Sequence, residues 1–419
     1  MREQLEGSQA VARTVAACRP QVICAYPISP QTHIVETLSA LVKSGTLDGC
    51  EYLNVESEFA AMSACIGSSA VGARTYTATA SQGLLHMAEP LYNASGLGLP
   101  IVMTVANRAI GAPINIWNDH SDAMSQRDSG WVQLYAESNQ DACDLHVQAF
   151  ALAERISLPV MVCMDGFVLT HAVEEVDVPD AASVQAFLPP YEPEQRLDPA
   201  DPVSIGAMVG PEAFTEVRYL AHAKQLRALS LIPEIATSFG ERFGRDSGGL
   251  VRPYRCEDAE TIVVALGSVL GTIKDVADER RERGDRIGVL GIGAFRPFPL
   301  DAVREALSGC RRAIVVERAF SAGVGGIVSA DVRTALAGSG VRVPTVVAGL
   351  GGRPVTKASL HAMLDVAEDD RYEHQQLTFL DLDTELIAPE LDRIARDAAS
   401  GSGAERLLRE IGTVRSTPH

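Results

Sequence analysis

Apolar, largely β-branched stretches alternate with helical periodicity over the first 170 residues of the chain. Five of these stretches predict strands, with the sequences QVICAY, YLNVE, RTYTAT, IVMTVAN and VMVCMD. Apolar or small residues at helical spacing predict helices from near Thr32, from Ser57 past Gly67, from near Leu84 and over 142–156. Strands that alternate with helices in this way predict a parallel sheet covered by helices on both faces.

A second α/β pattern begins near residue 258, with predicted strands TIVVALG, IGVLGIGAF, RAIVVER and TVVAGLG. Between the two patterns, prolines and acidic residues cluster and the periodicity is lost. We therefore predict an α/β protein with two doubly wound parallel-sheet domains, over 1–170 and 258–366. An irregular connector or arm over 171–257 joins them, and a C-terminal extension over 367–419 follows.

Composition excludes several classes of protein. The net charge of -18 over 419 residues argues against a nucleic-acid binder and against docking to anionic lipid, because both require a basic face. The N-terminal residues show no signal-peptide core, and no apolar stretch is long enough to span a membrane, so we expect a cytoplasmic protein. None of the eight cysteines forms a C-x-x-C pair, so neither an iron–sulfur cluster nor any other metal site is predicted in this chain.

Candidate chemistry follows the predicted strands of the first domain. Ser29 lies in Tyr-Pro-Ile-Ser-Pro after the first strand, Glu58 follows the second, and Arg108 follows IVMTVAN. Because parallel strands end at one edge of a sheet, a hydroxyl, a carboxyl and a guanidinium would meet there and suit a small anionic substrate. Glu58 could equally be an ordinary first-turn glutamate, and Glu56 is a local alternative to it.

Two further segments add to this edge. Arg108 opens a polar loop of more than twenty residues that contains both tryptophans of the chain, and loops of that length tend to be functional. Ser81 and Gln82 precede Gly83 after the strand RTYTAT, where the turn either begins an anion-binding helix or is a simple connection.

These segments together resemble the alpha subunit of the pyruvate:ferredoxin oxidoreductase (pyruvate synthase) family. The resemblance extends over nearly the whole chain. It rests on the following motifs: Tyr-Pro-Ile-Ser-Pro (26–30), Ser-Glu (57–58), Thr-Ala-Ser-Gln-Gly (79–83), Ala-Asn-Arg-Ala (106–109), Ala-Pro-Ile-Asn-Ile-Trp-Asn-Asp (112–119), Ser-Gln-Arg-Asp-Ser-Gly-Trp (125–131), Asp-Gly-Phe (165–167), Phe-Arg-Pro-Phe-Pro (295–299) and Gly-Leu-Gly-Gly-Arg (349–353).

The resemblance implies roles for individual residues. The first domain would bind the pyrimidine of thiamine diphosphate, and the second would resemble the C-terminal domain of transketolase. Glu58 would contact the pyrimidine ring, and Ser29 and Arg108 would hold the carboxylate of pyruvate, with Glu58 and Arg108 as catalytic residues. Cofactor-binding residues would be Pro27, Ile28, Ser29, Glu58, Ser81 and Gln82. Ser29 replaces the threonine usual in the family, and Pro354 stands where an acidic residue often follows Gly-Gly-Arg.

The implied reaction is the reversible oxidative decarboxylation of pyruvate with coenzyme A to acetyl-CoA and carbon dioxide, with reduction of ferredoxin. The beta subunit would share the thiamine diphosphate, and Mg²⁺ and the [4Fe-4S] clusters would lie only in the beta, gamma and delta partner subunits, which also receive ferredoxin. Met164-Asp165-Gly166 does not fit a Gly-Asp-Gly diphosphate motif, in agreement with that division. The alternatives are the same chemistry on a branched-chain 2-oxoacid or 2-oxoglutarate, and a non-catalytic assembly subunit.

Overall fold

The computed structural model of the chain describes residues 2–193, 195–368, 377–395 and 403–411. Its largest sheet has seven strands. From one edge to the other they are β12 (Ala294–Arg296), β6 (Val132–Tyr135), β7 (Val160–Asp165), β5 (Ile101–Asn107), β4 (Thr75–Thr79), β2 (Val22–Ala25) and β3 (Glu51–Asn54). All neighbours pair in parallel except β12 with β6. The five strands predicted for this region are confirmed, and β6 is an additional strand that the sequence pattern does not indicate.

A second sheet of six strands follows. Its order is β15 (Leu377–Phe379), β14 (Thr345–Val347), β13 (Arg312–Glu317), β10 (Thr261–Ala265), β11 (Ile287–Ile292) and β9 (Val251–Tyr254). Only β9 pairs in the antiparallel direction. The predicted α/β class with two mostly parallel sheets is therefore confirmed, while the limits of the four segments stay a prediction.

Fifteen α-helices surround the sheets in the described residues. They are α1 (Gly7–Ala17), α2 (Thr32–Lys43), α3 (Glu58–Ala70), α4 (Ser81–His86), α5 (Ala88–Gly96), α6 (Ser121–Ser125), α7 (Asn139–Ile156), α8 (Ala181–Phe187), α9 (Phe214–Phe243), α10 (Val269–Glu282), α11 (Leu300–Leu307), α12 (Val328–Ala335), α13 (Lys357–Glu368), α14 (Thr384–Ala395) and α15 (Gly403–Glu410). The helices predicted near Thr32, Ser57, Leu84 and 142–156 correspond to α2, α3, α4 and α7.

The two sheets are joined by more than a connector. The stretch predicted as one strand, IGVLGIGAF, divides at Gly293 into β11 of the second sheet and β12 of the first. One apolar cluster contains Met103 and Trp131 from the first unit together with Ile262 and Leu290 from the second. Burial of a shared apolar core favours a fixed arrangement of the two sheets.

The segment 171–257 has more regular structure than the irregular connector predicted. Helix α9 spans 30 residues, and its buried side chains, Leu231, Ile232, Ile235 and Phe239, recur at helical spacing and pack on the core of the first sheet. Strand β8 (Val173–Asp177) pairs antiparallel with β1 (Arg2–Glu6). The sequence does not indicate α9 because an exposed N-terminal half and an internal Pro233 obscure the periodicity of this helix.

The predicted C-terminal extension is described only in part. Its described residues form β15 at the edge of the second sheet and helices α14 and α15, and residues 369–376, 396–402 and 412–419 lie outside the described part of the chain. Within the described residues, every helix is too short or too polar to cross a membrane.

Candidate active site

The carboxyl edge of the first sheet carries the residues that the sequence singles out. The Tyr26–Pro30 turn follows β2, Glu58 begins α3 after β3, Ser81 begins α4 after β4, and Arg108 follows β5. Strands β3, β2, β4 and β5 are consecutive neighbours in the sheet. The structure therefore brings these four segments to one edge.

Glu58 lies buried at the N-terminus of α3, with only 7% of its surface exposed, whereas Glu56 is exposed. The hydroxyl of Ser57 caps the helix by accepting the N–H of Ala60 at 3.2 Å. A carboxylate in the first turn is stabilised by the positive end of the helix dipole. Burial in a structured helix start thus favours Glu58 over Glu56 as the functional carboxyl.

One oxygen of Glu58 is available to a ligand. Oε2 lies 3.2 Å from Nδ1 of His86, and no described residue donates a hydrogen bond to Oε1. A Cβ atom at Gly83 would lie 2.7 Å from that Oε1, so only glycine lets α4 approach the carboxyl this closely. A buried carboxyl oxygen without a protein donor can form a hydrogen bond with a ring nitrogen of a bound pyrimidine.

Arg108 is buried at the end of β5, with 6% of its surface exposed. Its Nη1 donates to the carbonyl oxygen of Ser29 at 2.8 Å, and its Nε donates to the carbonyl oxygen of Asn115 at 3.4 Å. Burial lowers the pKa of Arg108, and the nearby Asp122 charge opposes that shift. Arg108 and Ser29 therefore lie together, as predicted, although the contact uses the serine carbonyl and leaves its hydroxyl free among the described residues.

Asp122 organises this edge and is not among the residues that the sequence predicts for the site. Its buried carboxylate accepts N–H groups from Ser81 at 3.0 Å, Arg108 at 2.9 Å and Ala123 at 2.7 Å, and the side-chain amide of Asn107 at 2.8 Å. Burial raises the pKa of Asp122 to about 6, although these four hydrogen bonds lower it in part. One acid thus ties the ends of β4 and β5 together.

The remaining predicted cofactor residues lie at the same edge. The hydroxyl of Ser81 donates to the carbonyl of Ala109, and the amide of Gln82 donates to the carbonyl of Gly111 at 3.2 Å. These two side chains therefore hold the loop after β5 against α4. Pro27 is exposed and Ile28 is half-buried on the turn after β2.

The long loop that Arg108 opens docks on the second unit. Asn115 donates its side-chain amide to the carbonyl of Gly351 at 3.1 Å, and Asp119 accepts the N–H of the same glycine at 3.1 Å. A Cβ atom at Gly352 would lie 2.4 Å from Cβ of Trp117. The glycines of Gly-Leu-Gly-Gly-Arg thus permit close packing of this loop on the second unit. Arg353, at the end of the same motif, donates a hydrogen bond to the carbonyl oxygen of Asp381 at 2.6 Å.

A buried ion cluster joins the two units beside the loop. Asp165, at the end of β7, accepts hydrogen bonds from Nη1 of Arg318 at 2.9 Å and from the N–H of Ser268 at 2.9 Å, and lies 2.6 Å from Nε2 of His120. Burial raises the pKa of Asp165, but the charges of Arg318 and His120 outweigh it and hold this pKa below its usual range. Asp165 belongs to the Asp-Gly-Phe motif of the family resemblance, but the sequence alone does not predict its contacts with the second unit.

Comparison with known proteins agrees with this geometry. Residues 13–236 match the model for the pyruvate flavodoxin/ferredoxin oxidoreductase thiamine-diphosphate-binding family. Residues 259–360 match the model for core domain II of pyruvate:ferredoxin oxidoreductase. The first match alone covers more than half of the chain.

Individual relatives point the same way. Pyruvate synthase subunit PorA of Methanosarcina barkeri is 48% identical over 91% of this chain and 97% of its own. The PorA of Pyrococcus furiosus is 43% identical over 88% of this chain and 94% of its own. Ketoisovalerate oxidoreductase subunit VorA of Pyrococcus abyssi is less similar, at 39% over 88% of this chain and 93% of its own.

The fold recurs in a solved structure. A 2-oxoglutarate:ferredoxin oxidoreductase from Magnetococcus marinus, with 2-oxoglutarate, coenzyme A and succinyl-CoA bound, superposes with a TM-score of 0.64 at 17% identity. The match covers 88% of this chain and 65% of that one. At this identity the match shows a shared fold. The resemblance drawn from the sequence motifs is confirmed by these comparisons.

Proposed function

The chain belongs to the pyruvate:ferredoxin oxidoreductase family, and on that premise we propose that it is the subunit that binds the pyrimidine of thiamine diphosphate and holds pyruvate. The reaction would be the oxidative decarboxylation of pyruvate with coenzyme A, coupled to ferredoxin. One observation carries the proposal: an open oxygen of buried Glu58 and the guanidinium of Arg108 lie at one edge of one sheet.

The residues at this edge have separate tasks. Thiamine diphosphate, when bound, would supply the carbanion chemistry that cleaves the bond to the carboxylate. Oε1 of Glu58 would accept the hydrogen bond of the pyrimidine ring, and Arg108, with the hydroxyl of Ser29, would orient the pyruvate carboxylate. The turn residues Pro27 and Ile28 would contact the cofactor, and Ser81 and Gln82 would shape its pocket through the loop they hold.

Other subunits would complete the enzyme. The family resemblance implies a beta subunit that supplies Mg²⁺ and the diphosphate site, with iron–sulfur clusters in the partner subunits and ferredoxin docking there. The names of the relatives, which designate subunits, support a complex of several chains. None of the eight cysteines has the C-x-x-C spacing typical of clusters, which agrees with clusters being held elsewhere.

The experiment is a titration of thiamine diphosphate into the chain assembled with its beta subunit. Calorimetry measures the binding of the cofactor, and a turnover assay measures the activity. Glu58→Gln should keep the assembly intact and lower turnover by roughly 100-fold, the scale of general acid–base effects. Glu56→Gln is the matched control, because Glu56 is exposed two residues away. Normal turnover in Glu58→Gln would contradict the role of Glu58. Faster turnover of 2-oxoisovalerate than of pyruvate would contradict the substrate.

A further inference from the structure

Three side chains with metal-binding atoms meet outside the candidate active site. Glu6 ends β1, His33 lies in the first turn of α2, and His171 follows β7. One ligand atom from each of these residues lies within 4.8 Å of the other two. Cysteine spacing predicts no metal site in this chain, whereas these three residues come from distant segments.

The contacts within this cluster are close. Nδ1 of His33 lies 2.6 Å from Oε1 of Glu6, and the two imidazole rings lie 4.9 Å apart between centroids at an interplanar angle of 35°. Among the described residues, no lysine or arginine forms an ion pair with Glu6. In the described part of the chain, no lysine or arginine therefore competes with a metal ion for this carboxylate.

A hydrogen-bonding group supports one of the imidazoles. The hydroxyl oxygen of Thr170 lies 2.8 Å from Nδ1 of His171 and also accepts the N–H of Phe167 at 2.8 Å. The ring of Phe167 packs against that of His171, with centroids 4.8 Å apart. Metal-binding histidines commonly have such a partner on the second ring nitrogen, which fixes the orientation of the ring.

We propose that Glu6, His33 and His171 form a binding site for a divalent transition metal ion of the zinc type. Two imidazoles and one carboxylate are the three protein ligands of a familiar class of zinc site, in which water takes the fourth position. Tetrahedral ligands at about 2.0–2.1 Å from zinc lie roughly 3.3 Å apart, so the ion would draw the three groups together. The side chain of His33 is 48% exposed and can rotate to do so.

A second histidine–glutamate contact in the chain serves as a comparison for this cluster. His361 lies 2.8 Å from Glu279, but Lys357 also lies 3.0 Å from that carboxylate. Among the described residues this pair has no second imidazole, and Lys357 is a competing cation. It is therefore a matched control for a histidine–glutamate contact that should not bind metal.

The test is a titration of the purified full-length chain with Co²⁺ alone, which gives visible absorption when bound by nitrogen and oxygen ligands. We expect one saturable equivalent in the unaltered chain and in His361→Gln. Affinity should fall at least tenfold in His33→Gln, in His171→Gln and in Glu6→Gln. His33→Gln changes a half-exposed side chain, so this variant should fold.

A second readout is the thermal unfolding of the same proteins with and without Zn²⁺. Because the site links three chain segments, Zn²⁺ should raise the Tm of the unaltered chain and of His361→Gln, but not that of the double variant His33→Gln/His171→Gln. Absence of saturable Co²⁺ binding, or unchanged binding in the double variant, would overturn the site. Neither measurement uses thiamine diphosphate or pyruvate, so the outcome is independent of the proposed function.

Discussion

Replacing Arg108 by lysine keeps a positive charge at the end of β5 but removes the planar set of donors that a guanidinium offers. In the structure, Nη1 and Nε donate to the carbonyl groups of Ser29 and Asn115. No described residue accepts a hydrogen bond from Nη2. This nitrogen and the second proton of Nη1 form the edge that could bind both oxygens of a carboxylate.

The magnitude of the effect follows from the hydrogen bonds that lysine cannot make. An ammonium group at this position would serve either the carbonyl of Ser29 or the substrate with good geometry, and it would lose the second contact to the carboxylate. One charge-assisted hydrogen bond contributes about 1.5–3 kcal/mol, which corresponds to a change of roughly ten- to a hundredfold in affinity. We therefore expect Arg108→Lys to raise the KM for pyruvate by that factor.

Steady-state kinetics of the assembled enzyme provide the assay, with pyruvate and coenzyme A varied separately. The KM for coenzyme A should change much less, because Arg108 is expected to contact the carboxylate of pyruvate. Arg127→Lys is a matched control in the same loop, where Nη1 of Arg127 donates to the carbonyl of Met124 at 2.9 Å. Unchanged pyruvate kinetics in Arg108→Lys and then in Arg108→Ala would refute the reasoning and leave Arg108 a structural residue.

Three other outcomes are expected. Gly83→Ala would place a Cβ atom 2.7 Å from Oε1 of Glu58, so it should destabilise the protein by about 1–3 kcal/mol in chemical denaturation, whereas Gly67→Ala, with nothing within 4 Å, should not. Burial raises the pKa of Asp122 to about 6 in the folded chain, so the stability gained from its protonated form is complete below about pH 4 and is lost as the pH rises through 6. Asp122→Asn should therefore reduce the slope of unfolding free energy against pH in this range. An unchanged slope would contradict the assignment of this raised pKa to Asp122. The purified single chain should contain no iron accompanied by acid-labile sulfide, and stoichiometric amounts of both would show that cluster ligands had been missed.

Sequence patterns were sufficient for the strands and for the edge at which the candidate residues meet. IVMTVAN is wholly buried in β5, and buried parallel strands commonly consist of such nearly continuous apolar stretches. The position of Arg108 then follows from the end of the strand. Strand β6 was missed because its alternation of Val132, Gln133, Leu134 and Tyr135 includes a polar residue that is nonetheless buried and bonded to the carbonyl of Ala123.

The supporting residues could not be predicted, because their role depends on contacts between distant segments. Asp122 is one of several acids in a polar loop, and only the folded chain shows that it accepts N–H groups from Ser81 and Arg108. Likewise, β12 leaves the second unit to pair with β6, and a local pattern gives no information on which sheet a strand joins. Such contacts join segments of the chain that are distant in sequence, and they leave no periodic signal in it.

The division between binding and supporting residues has a consequence for how the enzyme assembles. Glu58 offers one open oxygen and Arg108 one open edge, and both are already positioned by burial within this chain. In the proposed complex, this chain binds the pyrimidine of thiamine diphosphate and a partner subunit binds the diphosphate. The partner therefore needs only to bring the diphosphate to the carboxyl edge of the first sheet, which this chain already forms. Glu58→Gln and Arg108→Lys keep a polar side chain of similar length, so they should change kinetics more than unfolding free energy, whereas substitution of Asp122 or Gly83 should change both. Measuring the two quantities across these four positions separates residues that touch the ligands from residues that hold the edge in place.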